Sequence, residues 1–115
     1  MKYYIFLFLL LILSCKDHSR DQKDIHRIQH VLNVKISDTY EILSKQEETA
    51  WGADMYHAIT IKLSEKDYLR VYQAVKGKFD QSEQVYFYNI EKDNSIEYFS
   101  LDTISHSFKY SFSAE

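Results

Sequence analysis

The pattern of residues predicts an α+β domain. It has an antiparallel sheet of about five strands and one covering helix, in the order β-β-α-β-β-β. Three observations carry this. Apolar and polar residues alternate with period two through residues 54–63. The spacing changes to that of a helix over residues 64–76, and period-two alternation returns through residues 84–113. The seventeen Tyr and Phe (Tyr 10, Phe 7) favour strands.

Residues 24–32 fit a short helix. Asp24 stands where a cap would, and Ile25, Ile28 and Leu32 fall at i, i+3 and i+7. From Val34 onward strands are expected, with Tyr40 and Ile42 flanking Glu41, then a polar hairpin loop from Gln46 to Asp54. In the second strand Met55, His57, Ile59, Ile61 and Leu63 share one face.

The helix at 64–76 is the most strongly marked element. Ser64 and Asp67 resemble a capping box, with Asp in place of the usual Glu, and Leu63 and Tyr68 occupy the hydrophobic staple positions. Tyr68, Val71, Tyr72 and Val75 form its apolar stripe. Gly77 stands where a left-handed residue would end it.

Three strands follow, with turns expected at Lys92-Asp93-Asn94-Ser95 and Leu101-Asp102-Thr103-Ile104. Two-residue loops at both would set Tyr88 opposite Phe99 and Phe99 opposite His106. Tyr86, Tyr88, Ile90, Phe99, Leu101, Ile104, Phe108, Tyr110 and Phe112 then share the core face. Val85, Phe87, Tyr98, Ser107, Lys109 and Ser111 share the other. Glu97 falls on the core face, which places it near a sheet edge or puts the register off by one.

The N-terminus carries a different message. Met1-Lys2 precedes an apolar run from Tyr3 to Leu13, then Ser14-Cys15. A basic start, a short apolar run and a small residue before the cut make a secretory signal. The run falls short of the roughly 20 apolar residues a spanning helix needs. Ile12-Leu13-Ser14-Cys15 resembles the lipobox of bacterial lipoproteins. The resemblance implies cleavage before Cys15 and lipid attached to its sulfur. Two or three acyl chains anchor firmly where one does not. Residues 1–14 are then signal peptide, residues 15–30 a lipidated start and polar tether including the short helix, and residues 31–115 the domain. Cys15-Lys16-Asp17 is similar to the export signal of Bacteroidota surface lipoproteins, with His18 in place of a second acid. The expected location is the outer membrane, on its periplasmic side or at the cell surface.

Composition narrows the chemistry. Cys15 is the only cysteine, so no intramolecular disulfide forms. The net charge of −3 gives no basic footprint for a nucleic-acid partner. Two glycines are too few for phosphate-cradling loops.

Candidate catalytic and metal-binding residues each have a plainer reading. His26 and His30 would share a helix face, yet structural zinc takes four ligands and no set completes them. His57 and His106 fall on apolar strand faces and read as packed residues rather than general bases. Glu47 and Glu48 adjoin in the polar loop, unlike the carboxylates that flank a glycosidic bond. No catalytic set, metal or cofactor is expected. Trp51, in the loop Glu47–Asp54, and the patch of Phe87 and Tyr98 with Val85 and Ile96 are the candidate partner-binding residues. The patch would be free unless residues 24–36 cover it.

The expected function is that of a small non-enzymatic binding or structural lipoprotein of the envelope, held to the membrane by its lipid and meeting an envelope protein partner. The alternative is an inhibitor or immunity protein acting on an envelope hydrolase or toxin.

Overall fold

The computed structural model describes residues 21–37, 39–49 and 55–114. Helix α1 covers residues 21–32. Strands β1 (Glu41–Thr49) and β2 (Met55–Lys62) lead to helix α2 (Glu65–Lys76). A meander follows: β3 (Asp80–Ser82), β4 (Val85–Lys92), β5 (Ser95–Asp102) and β6 (Ser107–Ala114). The six strands form one sheet in the order β1-β2-β6-β5-β4-β3, with every pair antiparallel. The expected α+β class and antiparallel sheet hold. Among the described residues the sheet has six strands rather than five, and two helices rather than one lie on it.

The first helix is the larger correction. Residues 21–23, expected in the polar tether, belong to α1, and Asp21 is buried. Ile25, Ile28 and Leu32 enter the same core as Ile59, Phe99 and Phe108. That stripe keeps α1 in place, since fully burying one such side chain contributes about 1.5–3 kcal/mol. Three polar contacts spaced one turn apart reinforce it. Asp21 meets Lys45 at 2.7 Å, Asp24 meets His57 at 3.3 Å, and Arg27 meets Glu97 at 2.7 Å. The helix therefore crosses the strands from β1 through β2 to β5.

Helix α2 lies on the same side of the sheet. Val71 and Val75 are fully buried, and Tyr72 meets the ring of Tyr86 edge-on. Ser64 caps the helix by accepting the backbone N–H of Asp67 at 3.3 Å. The reciprocal half of the expected capping box does not form. Asp67 instead accepts the backbone N–H and hydroxyl of Ser37, at 3.1 and 2.6 Å, tying the segment after α1 to α2. Gly77 ends the helix at φ −103°, in right-handed rather than left-handed backbone.

In the meander, the Asp93-Asn94 turn is the expected two-residue loop, and Tyr88 pairs with Phe99. The next connection is longer. β5 ends at Asp102 and β6 begins at Ser107, so Phe99 pairs with Tyr110 rather than His106. Asp102 Oδ1 accepts the N–H groups of Ile104 and Ser105, an Asx-type turn, and His106 closes the loop at φ 55°. The shift from the expected register is an even number of residues, so the inward face keeps its identity. Ile104 is the exception. Expected in the core, it stands at the loop tip, 76 % exposed.

β1 also runs further than expected. Gln46–Thr49 continue the strand, so Glu47 and Glu48 pair with His57 and Tyr56 instead of sitting in a loop. Among the described residues, no helix is long and apolar enough to cross a membrane.

Candidate functional site

The helices divide the sheet into an inner face, which they cover, and an outer face, which nothing among the described residues covers. Residues 24–36 pack inward through Ile25, Ile28, Leu32 and Ile36, so they do not lie over Phe87 and Tyr98. Strand alternation puts Val85 and Phe87 of β4, and Ile96 and Tyr98 of β5, on the outer face. Cross-strand pairing then places Tyr98 between Asn89 and Ser111, and Phe87 beside Ser100. Phe87 and Tyr98 are half-buried, and Ile96 is 44 % exposed.

Two shallow hollows lie on this face. One, of about 480 Å³, is lined by Phe87, Tyr98, Val85 and Asn89. The larger, of about 600 Å³, lies at the end of the sheet by the β4–β5 turn and takes in Glu48, Tyr56, Ile96, Glu91 and Ser113. The expected patch is thus one side of a broader surface. Tyr56 of β2 joins it from the other side, with the short serines Ser111 and Ser113 of β6 between. Small side chains between aromatic ones leave relief that an apolar group can enter. Trp51 and Cys15 lie outside the described residues.

The inner face holds a buried polar cluster beneath α1. Arg27 donates two parallel hydrogen bonds to Glu97, Nε to Oε2 at 2.8 Å and Nη2 to Oε1 at 2.7 Å. The Tyr110 hydroxyl donates to the same Oε2 at 2.7 Å. Glu97 therefore sits buried in a central strand, with partners for its charge, instead of at an edge. Arg27's hydrogen bonds hold its carboxyl below the ordinary carboxylate range against the opposing effect of burial, with help from the Tyr110 hydroxyl. Burial, then the bond to Glu97, pushes the Tyr110 phenol well above the ordinary tyrosine value.

His57 donates from Nε2 toward Asp24 Oδ1 at 3.3 Å and stacks on Phe112, with ring centroids 5.5 Å apart. A carboxylate-paired imidazole is half of a general-base arrangement. Here the pair joins a helix to the sheet, and the imidazole's ring neighbours are Phe112 and Tyr110. His106 is not on a strand face. It lies in the β5–β6 loop, stacked on Tyr68 at 3.8 Å, with its carbonyl accepting the N–H of Leu63. His26 and His30 are exposed on α1. Among the described residues, no group of three or more His, Cys, Asp or Glu is placed to hold a metal ion.

No family model, curated protein or solved structure matches this chain. The functional argument therefore rests on the molecule's own geometry.

Proposed function

We propose that this chain is a lipid-anchored envelope protein that acts by binding, not by catalysis, and that the outer face of its sheet is the recognition surface. The observation that carries this reading is the one-sided cover: both helices pack on the inner face, while Phe87, Tyr98, Ile96 and Tyr56 line hollows on the other. An aromatic and aliphatic surface that no described residue covers fits a partner site, where buried aromatic side chains dominate the binding energy. The lipid on Cys15 supplies the membrane attachment, and the proposed partner is an envelope protein. An inhibitor of a basic hydrolase or toxin is the variant of this reading that the acidic end of the face favours, since opposite charge speeds association and selects partners.

Two experiments test the two halves. Labelling cells with a fatty-acid analogue should mark the parent and not the Cys15→Ala chain; label on Cys15→Ala would remove the anchor assignment. Detergent extracts should contain the parent in a complex larger than the free chain. The Phe87→Ser/Tyr98→Ser variant should run free while keeping its circular dichroism. A folded variant that stays in the complex would exclude this face.

A further inference from the structure

One cross-strand row of the outer face has a charge pattern of its own. Pairing aligns Glu48 of β1, Tyr56 of β2, Ser113 of β6, Ile96 of β5 and Glu91 of β4. These five line the larger hollow of about 600 Å³. Tyr56 and Ile96 line it, with the small Ser113 paired between them. A carboxylate stands at each end, and Asp93 adds a third at the neighbouring turn. Lys92 is the one cation among the described lining residues. Both ends of the row are sheet edges. β1 is the first strand of the sheet, and β3 pairs only with Val85–Phe87, leaving β4 unpaired beside Glu91. Glu48, Glu91 and Asp93 are exposed, and none forms an ion pair with another described residue.

We propose that this row seats a basic protein segment laid across the strands, with a cationic side chain on Glu48, another on Glu91, and apolar side chains between them on Tyr56 and Ile96. The inference rests on the open-face reading and adds the chemistry of the partner. Four strand spacings of about 4.8 Å separate the two carboxylates by about 19 Å, which an extended segment spans in roughly six residues. The segment thus has Lys or Arg at positions about six apart, with leucine-like or aromatic residues between. Charge complementarity decides the occupant. An anionic lipid surface is repelled by the same carboxylates that attract a cationic segment, so this end of the face points away from the bilayer.

The test uses the full chain in neutral detergent and two labelled peptides. One has lysine at each end of a leucine–tyrosine repeat, with the two lysines six positions apart; the other has glutamate at both ends. Fluorescence anisotropy should show the lysine-ended peptide binding at least tenfold tighter than its twin. Glu48→Gln/Glu91→Gln should weaken it about tenfold, the sum of two exposed ion pairs. Both carboxylates are exposed, so that variant should keep its circular dichroism. Raising the salt should also weaken binding. Equal binding of the two peptides, binding of neither, or an unchanged Gln variant would overturn the charge assignment. If binding survives the Gln pair but is lost in Tyr56→Ser/Ile96→Ser, the open-face reading stands and only the basic partner falls. If neither double variant alters binding, both readings fall. Concentration-dependent self-association that Ile96→Ser abolishes would make a second copy the occupant and also overturn the proposal.

Discussion

Replacing Arg27 by alanine should destabilise the domain far more than a surface position would. Glu97 is 8 % exposed in the folded chain, and its two bonds from Arg27 are the larger part of what keeps it charged there. Without Arg27, only the Tyr110 hydroxyl remains as a named partner. The carboxyl must then stay charged without its cation or take up a proton. Protonating an ordinary carboxyl at neutral pH costs about 3.7 kcal/mol, from the roughly 2.7 units between pH 7 and its usual value, and that sets the ceiling. Water reaches the Arg27 side chain, which is 34 % exposed, so the pair is weaker than a fully buried one. The expected cost is about 2–3 kcal/mol. Arg27→Ala/Glu97→Leu removes both charges and leaves only the Tyr110 hydroxyl short of a partner, about 1–3 kcal/mol before the leucine's own gain. The double variant should therefore be more stable than Arg27→Ala alone. Urea melts followed by circular dichroism measure both. A loss below about 0.5 kcal/mol for Arg27→Ala, or a double variant costing the sum of the singles, would refute the view that this pair fastens α1 to β5.

The same cluster sets a pH window. The lowered Glu97 carboxyl stabilises the fold above its usual range, about pH 4.3, and that contribution is lost as pH falls through its folded-state value. The raised Tyr110 phenol stabilises below about pH 10 and loses its contribution as pH rises further. Thermal melts should show a plateau between these limits, and Tyr110→Phe should make the alkaline arm shallower, with Tyr68 and Tyr86, also raised, keeping the rest; an unaltered arm would exclude Tyr110. Ser64→Ala should cost about 1 kcal/mol, as for a lost helix cap. Asp67→Ala should cost more, because it empties a nearly fully buried position and leaves the Ser37 N–H without its acceptor, while the Ser37 hydroxyl keeps Thr39; equal losses would mean that the tie to Ser37 is slack. Phe108→Glu should unfold the domain and Ser107→Glu should not, since Phe108 is fully buried and Ser107 faces outward; circular dichroism of the two side by side decides it.

The elements most legible in the sequence are those whose signals are local. β2, α2 and the β4–β5 hairpin follow from alternation, a Ser cap and an Asp-Asn turn. The core face of β6 survived an error in loop length, because only an odd slip exchanges the faces. β3 left no trace: Asp80, Gln81 and Ser82 are all exposed and polar, and the turn after it puts Glu83 at φ 53° without a glycine. Glu97 was misplaced because its partner lies seventy residues upstream, on a helix whose apolar stripe is visible but whose docking site is not. The same limit applies to the binding face. Phe87, Tyr98, Val85, Ile96 and Glu91 can be grouped from one hairpin, whereas Tyr56 and Glu48 join Ile96 only once strand order places β2 beside β6. His57 packs on its strand, as alternation places it. His106 is not on a strand face, because the longer loop lifts it off the strand into a stack on Tyr68.

Site-resolved photo-crosslinking in living cells tests the central claim most directly. A photoreactive residue placed singly at positions 87, 98 and 111 samples the open face, and at 26 and 73 the exposed sides of α1 and α2. If the outer face is the recognition surface, the three sheet positions crosslink to one and the same envelope protein, and the two helix positions do not. Crosslinks to a common partner from 26 and 73, with none from 87, 98 or 111, would contradict it.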